Sequence, residues 1–181
     1  AKEVWEVSKS GLKDIYGIGR KISLEIGNPD HLKFAEQELK FCENNNIKLN
    51  LRHFGELPYH LNECEDAPAI LYQKGSYDDS RQPLSIVGTR NITSYGKIFV
   101  QDLLEEIKTK HIISVSGLAL GIDTEVHEVS LQKNIPTAAV LAYGFHKLYP
   151  SKNRRLSERI LEENGVLFTE LNSSQKPERE N

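Results

Sequence analysis

From residue 84 onward, short apolar runs alternate with amphipathic stretches, and no other feature of this chain limits its fold as much. The runs at 84–87, 112–115, 137–141 and 166–168 read as strands. Between them, 94–110, 121–134 and 151–164 read as helices. Ile98, Leu103, Leu104 and Ile107 mark the apolar side of the first, and Ile122, Val126, Val129 and Leu131 that of the second. Strands that are apolar throughout are covered on both faces, which is the habit of parallel sheets. Right-handed crossovers then predict an α/β fold with a doubly wound, mostly parallel, Rossmann-like sheet.

The chain before residue 84 follows other rules. Residues 1 to about 50 read as helical, because Leu12, Ile15, Ile18, Ile22 and Ile26 recur near helical spacing, interrupted by Gly17-Ile18-Gly19. Pro29 and Asp30 suit a new helix start, with Leu32, Ala35, Leu39 and Cys42 as its expected buried face. Residues 51–83 read as a connector punctuated by Pro58, Pro68, Gly75 and Pro83, with a short strand at 69–72. The expected domains are a small helical one of helix-hairpin-helix or SAM-like type over 1–57 and a Rossmann-like one over 58–181.

Composition excludes several classes. At 181 residues, 38% hydrophobic and 27% charged, the chain can bury a core without a staple. Cys42 and Cys64 have no partner ligand at metal spacing, which argues against a disulfide framework or a CxxC zinc site and for reduced thiols in the cytoplasm. No apolar stretch is long enough to span a bilayer, and the start carries no secretory pattern. Methionine is absent even at position 1, so a fragment of a longer chain is expected. The net charge of −3 excludes a polybasic binder by bulk charge but not a local basic patch.

Four constellations carry possible chemistry. Ile86-Val87-Gly88-Thr89-Arg90 ends a strand just before a helix that Thr93 or Ser94 can cap, a natural anion site to which Arg90 adds a planar fork. The dinucleotide fingerprint is missing. Val115-Ser116-Gly117-Leu118-Ala119 leads through Gly121 to Asp123 in the same way, with Asp123 read as a cap. The third segment, 145–159, holds five Lys or Arg and one Glu, interleaved with Phe145 and Tyr149. That pattern suits single-stranded nucleic acid or a solvated helix face, and Lys152 at the helix start favours a ligand. In the fourth, Gly17-Ile18-Gly19 followed by Arg20 and Lys21 matches either a phosphate-binding hairpin or a packing unit. A Ser-His-Asp set can be drawn from Ser116, His127 and Asp123, but it lacks the Gly-x-Ser-x-Gly elbow.

Taken in order, Ile86 to Arg90 with Tyr95-Gly96, Val115 to Ala119 with Gly121, Ile122, Asp123 and His127, Ala139 to Leu141 with Gly144, and Tyr149-Pro150 with Asn153 resemble the DNA-processing protein A family, also called Smf. The segment from Pro58-Tyr59 through Pro68 to Leu71 with Gly75 fits as well. The resemblance implies a Rossmann-like protein that binds single-stranded DNA, protects incoming strands, loads the RecA recombinase during natural transformation and dimerises through the Rossmann-like domain, without catalysis, cofactor, metal or membrane. By position it assigns DNA binding to Gly88, Thr89, Arg90, Ser116, Gly117, Lys152 and Asn153, with Gly17, Gly19, Arg20 and Lys21 as a secondary contact. The family's Arg-Asn-Arg segment would follow Asn181, so the domain is expected to be truncated at its C-terminal end. Leu120 stands where many relatives carry a basic residue. The competing readings are a nucleotide-binding enzyme, such as a nucleoside monophosphate phosphoribohydrolase, whose Pro-Gly-Gly-x-Gly-Thr loop is missing here, and a pure protein-interaction module.

Overall fold

The computed structural model describes residues 5, 9–12 and 15–177. The chain divides into two compact units, residues 1–41 and 42–181. The division precedes the boundary expected after residue 57, because Ile47–Leu51 is a strand of the sheet and not the end of a helical segment.

In the first unit, α1 (Lys9–Leu12) and α2 (Arg20–Glu25) flank the Gly17-Ile18-Gly19 turn, and α3 (Pro29–Asn44) follows, its last three residues counted with the second unit. Gly17 has φ +88°, a conformation that glycine adopts at no steric cost. Leu12 is fully buried, but Ile15 and Ile22 are about half exposed. Of the face expected to be buried on α3, Cys42 is buried but Leu32 and Leu39 are half exposed, and Glu38 is buried instead.

The second unit is a mixed α/β layer. Its strands are β1 (Ile47–Leu51), β2 (Ile70–Gly75), β3 (Gln82–Ser85), β4 (Ile112–Ser116), β5 (Thr137–Val140) and β6 (Val166–Thr169), in the order β1-β2-β6-β5-β4-β3. The β3–β4, β4–β5 and β5–β6 pairs are parallel, while β2 runs antiparallel to both β6 and β1. A short helix, α4 (Tyr59–Asn62), precedes β2. The crossover helices are α5 (Ser94–Ile107), α6 (Ile122–Gln132) and α7 (Arg154–Glu162), and α6 packs between α5 and α7. Neither cysteine is in a disulfide. Among the described residues no helix is long and apolar enough to cross a membrane.

Strand periodicity sends alternate residues to opposite faces. Ala139 and Leu167 pack with Leu118, Leu131, Leu156 and Ile160 under the helices. Their neighbours Ala138, Val166 and Phe168 pack on the other face against Leu57, Ala67 and Tyr77. That second face is covered by the 57–67 segment instead of a helix layer. Val100, Leu104, Val126 and Val129 join α5 to α6. Full burial of each such side chain contributes ~1.5–3 kcal/mol.

One polar cluster interrupts this apolar interior. Ser114 on β4 meets Ser130 on α6 and Thr137 on β5, each at 2.8 Å, and Thr137 Oγ1 lies 2.7 Å from His127 Nδ1. His127 is fully buried, and its Nε2 has no hydrogen-bond partner among the described residues. Burial therefore holds the imidazole well below its ordinary 6.5, at about 4. Between those values the unfolded chain binds a proton that the native state refuses, so stability falls as pH drops. Urea unfolding should show a loss of up to ~3 kcal/mol across that window. The His127→Asn variant, which keeps a polar atom near the Nδ1 position, should lose that part of the slope.

Candidate functional site

β3, β4 and β5 are parallel neighbours, so the loops that leave their C-terminal ends open on one edge of the sheet. There, Arg90 from the first loop, Gly117, Ala119 and Leu120 from the second, and Ala142, Tyr143 and Tyr149 from the third surround a cleft of about 230 Å³. Asp123 at the start of α6, Val140 at the end of β5, Pro150 and Pro177 complete its walls. Ligands of open α/β sheets bind outside the carboxyl ends of the strands, which is where this cleft lies.

The middle loop is held from beneath. Asp123 Oδ2 accepts the amides of Gly117 at 3.1 Å and Ala119 at 3.3 Å. Thr124 Oγ1 donates to the Ala119 carbonyl at 2.7 Å. Asn153, 35 residues after Leu118 and buried, donates through Nδ2 to the Leu118 carbonyl at 2.9 Å, to the Ala119 carbonyl at 3.2 Å and to Thr124 Oγ1 at 2.8 Å. Leu118 sits at φ +56°, costly for a non-glycine residue, and is anchored there by its fully buried side chain. Gly121, at φ +90°, lets the second loop press on the first: a Cβ there would lie 2.1 Å from the Thr89 carbonyl oxygen. The Ile122 amide donates to that same carbonyl at 3.1 Å.

This geometry redistributes the roles expected from sequence. Arg90 is exposed on the cleft wall, with no ion pair among the described residues. Thr89 is exposed, and its hydroxyl accepts the Asn91 amide at 3.1 Å. Thr93 caps α5, accepting the Gly96 amide at 3.1 Å. Gly88 is required by packing, since a Cβ there would meet the Ile122 side chain at 2.6 Å. Ser116 is buried and donates to the Ile86 carbonyl at 2.7 Å, tying β4 to the end of β3. The Gly117 amide, expected to be open, is taken with that of Ala119 by Asp123, which braces the loop and does not cap its own helix. Lys152 is exposed on the 3-10 turn Ser151–Asn153, beside the cleft residue Pro150 in sequence but not on the cleft wall. The Gly17, Gly19, Arg20 and Lys21 turn is exposed on the first unit.

Ser116, His127 and Asp123 do not assemble as a triad, because each is committed to a different partner. Of the basic segment, Arg159 is paired with Glu128 at 2.6 Å and Arg154 with Glu158 at 3.3 Å. Lys147, Lys152 and Arg155 are exposed. Phe145 packs on the core, whereas Tyr149 turns to the cleft. The Tyr143 hydroxyl donates to the Tyr149 carbonyl, and its burial pushes its pKa up, so it stays protonated. Among the described residues no group of His, Cys, Asp and Glu is placed to hold a metal. Sequence reading missed Asn153 as a brace, Pro177 as a wall and the two tyrosines as a pair with ring centroids 6.5 Å apart. Only Tyr149 carried a local signal, its place among basic residues.

Removing the brace should be visible without any ligand. Asp123→Ala leaves two amides without their acceptor and should cost ~1–3 kcal/mol, with faster hydrogen exchange at Gly117 and Ala119. Gly121→Ala should destabilise by a similar or larger amount, since both its φ and the Thr89 carbonyl oppose a Cβ.

The chain is similar to known proteins in sequence and in fold. The family model for DNA recombination-mediator protein A matches residues 49–181. A DNA processing protein, DprA, of Bacillus subtilis is 36% identical over 126 residues, covering 68% of this chain and 42% of that protein. Protein Smf of Synechocystis is 31% identical over 186 residues, covering 99% of this chain and 46% of its own length. The X-ray structure of DNA processing protein A from Streptococcus pneumoniae superposes with a TM-score of 0.76 at 25% identity, covering 96% of this chain and 60% of that one. A structure of DNA processing protein A from Helicobacter pylori, described for its single-stranded DNA binding mode, gives a TM-score of 0.59 at 27% identity, with 68% and 56% covered. The chain thus spans less than half the length of these two sequence relatives. Its match to the family model covers nearly all of the sheet-bearing unit, and the chain belongs to the DNA recombination-mediator protein A family.

Proposed function

We propose that this chain is part of a protein that binds single-stranded DNA at the C-terminal edge of its parallel sheet and hands it to a recombinase. The observation that carries the reading is Arg90, a guanidinium with no carboxylate partner among the described residues, held on the wall of an apolar and aromatic cleft. A planar cation suits a phosphate, and rings beside it suit unstacked bases. Lys152, with exposed Lys147 before it and Arg155 in the first turn of α7, adds positive charge after β5. Gly88, Thr89, Ser116, Gly117 and Asn153 act mainly by shaping the edge on which Arg90 is presented. The Helicobacter pylori relative, described as binding single-stranded DNA, supports this choice of ligand.

By extension, the whole protein protects incoming strands, loads RecA during natural transformation, works in the cytoplasm and dimerises through the Rossmann-like domain. The exposed Gly17, Gly19, Arg20 and Lys21 turn supplies a secondary phosphate contact. The protein acts by binding, without bond-making chemistry, and no feature of the cleft favours the phosphoribohydrolase alternative.

Fluorescence anisotropy with a labelled single strand across a salt series tests this. Log affinity should fall with log salt by ~0.7 for each phosphate neutralised. Arg90→Ala should weaken binding on the order of tenfold and reduce that slope by about 1, with a smaller loss for Lys152→Ala. Unchanged affinity in both variants would remove the proposal.

A further inference from the structure

His127 is buried, titratable and absent from the cleft wall. Its Nδ1 lies 2.7 Å from Thr137 Oγ1, and its Nε2 has no hydrogen-bond partner among the described residues. For stability alone this is a poor use of an interior position. A buried nitrogen without a partner costs free energy, and burial holds the ring neutral, so it supplies no charge either. An apolar side chain of similar size would fill the space. Thr137 would still keep Ser114, whose hydroxyl donates to it at 2.8 Å and whose carbonyl lies 3.3 Å away.

The place of the ring along α6 gives it a use. Asp123 and His127 are four residues apart, on one face of the helix and one turn from each other. Asp123 takes the Gly117 and Ala119 amides at the carboxyl end of β4. His127 reaches Thr137 at the start of β5, and Ser130 on the same helix meets Ser114 on β4 at 2.8 Å. Apolar contacts carry no direction, so packing by itself lets a helix turn slightly over a sheet. Hydrogen bonds are directional, and two of them to two strands fix the rotation where one would leave a pivot.

We propose that His127 is a positioning residue: by bonding to Thr137 it fixes the rotation of α6 over β4 and β5, and so holds Asp123 against the Gly117 and Ala119 amides. Resting on the single-strand reading above, loss of this contact weakens DNA binding although neither His127 nor Thr137 lines the cleft.

The experiment reads stability, loop order and binding separately on the full chain. It uses urea unfolding at neutral pH, hydrogen exchange at Gly117 and Ala119 without DNA, and anisotropy with a labelled single strand. His127→Leu should unfold at the urea midpoint of the parent or above it. Exchange at the two amides should nevertheless rise, and affinity should fall, each on the order of tenfold, the scale of one hydrogen bond. His127→Asn, with a polar atom near the Nδ1 position, should stay within about threefold of the parent in both readouts. Thr137→Val removes the same contact from the β5 side and should match His127→Leu, and the double variant should lose no more than either. Parent-like exchange in His127→Leu and Thr137→Val overturns the proposal. A loss of loop order that follows urea stability in all variants, with no rescue by Asn, also overturns it and leaves a purely structural histidine. Should His127→Leu fail to fold, Thr137→Val against the parent decides in the same way. Faster exchange in the variants of a parent that binds no single strand removes the DNA reading and leaves the positioning role standing.

Discussion

The Asp123 carboxylate gathers two amides of the loop after β4, and the geometry of the cleft depends on that contact. The loop would otherwise spread its backbone donors into solvent at the end of a strand. Held by Asp123 from one side and by Asn153 and Thr124 from the other, it keeps Leu118 in a left-handed conformation with its side chain in the core. Gly121 then meets the Thr89 carbonyl, so the middle loop supports the loop that carries Arg90. A long flexible side chain is thus presented from a backbone with little freedom, which reduces the entropy lost when a ligand is bound.

This arrangement also separates two tasks that sequence motifs merge. Glycines beside a strand end are commonly read as openings for a ligand. Here Gly88 makes room for Ile122, and Gly121 for the backbone of a neighbouring loop. Ser116 and Asn153, both polar and both within recognisable motifs, are buried and spend their hydrogen bonds on protein carbonyls. The motif residues divide into a buried frame and an exposed cleft wall, and Arg90 and Tyr149 lie on the wall.

Below the cleft, the Ser114, Ser130, Thr137 and His127 cluster joins α6 to β4 and β5. A neutral imidazole with few partners in an apolar interior is stable only while it stays unprotonated. The helix that supplies Asp123 to the loop therefore rests on a polar contact that depends on pH.

Much of the sheet was legible in the sequence. Strands β4, β5 and β6 and helices α5, α6 and α7 lie within a few residues of where apolar runs and helical spacing put them, because those signals are local and repeat along the chain. Strand β3 begins two residues earlier than the apolar run predicts, which leaves Val87 in the exposed loop. The Ile47–Leu51 strand was hidden, since its pairing with β2 is set by a partner 19 or more residues away. On α3, Cys42 is buried as expected but Leu32 and Leu39 are not, because spacing defines a stripe and only packing decides whether anything covers it. By itself the sequence determined the alternation of strands and helices, the loops that would meet at one edge, and the arginine that belongs there. The tertiary structure alone decided which polar residues are consumed as braces and which side chains remain open to a ligand, because hydrogen bonds such as that from Asn153 to Leu118 join positions that no local pattern connects.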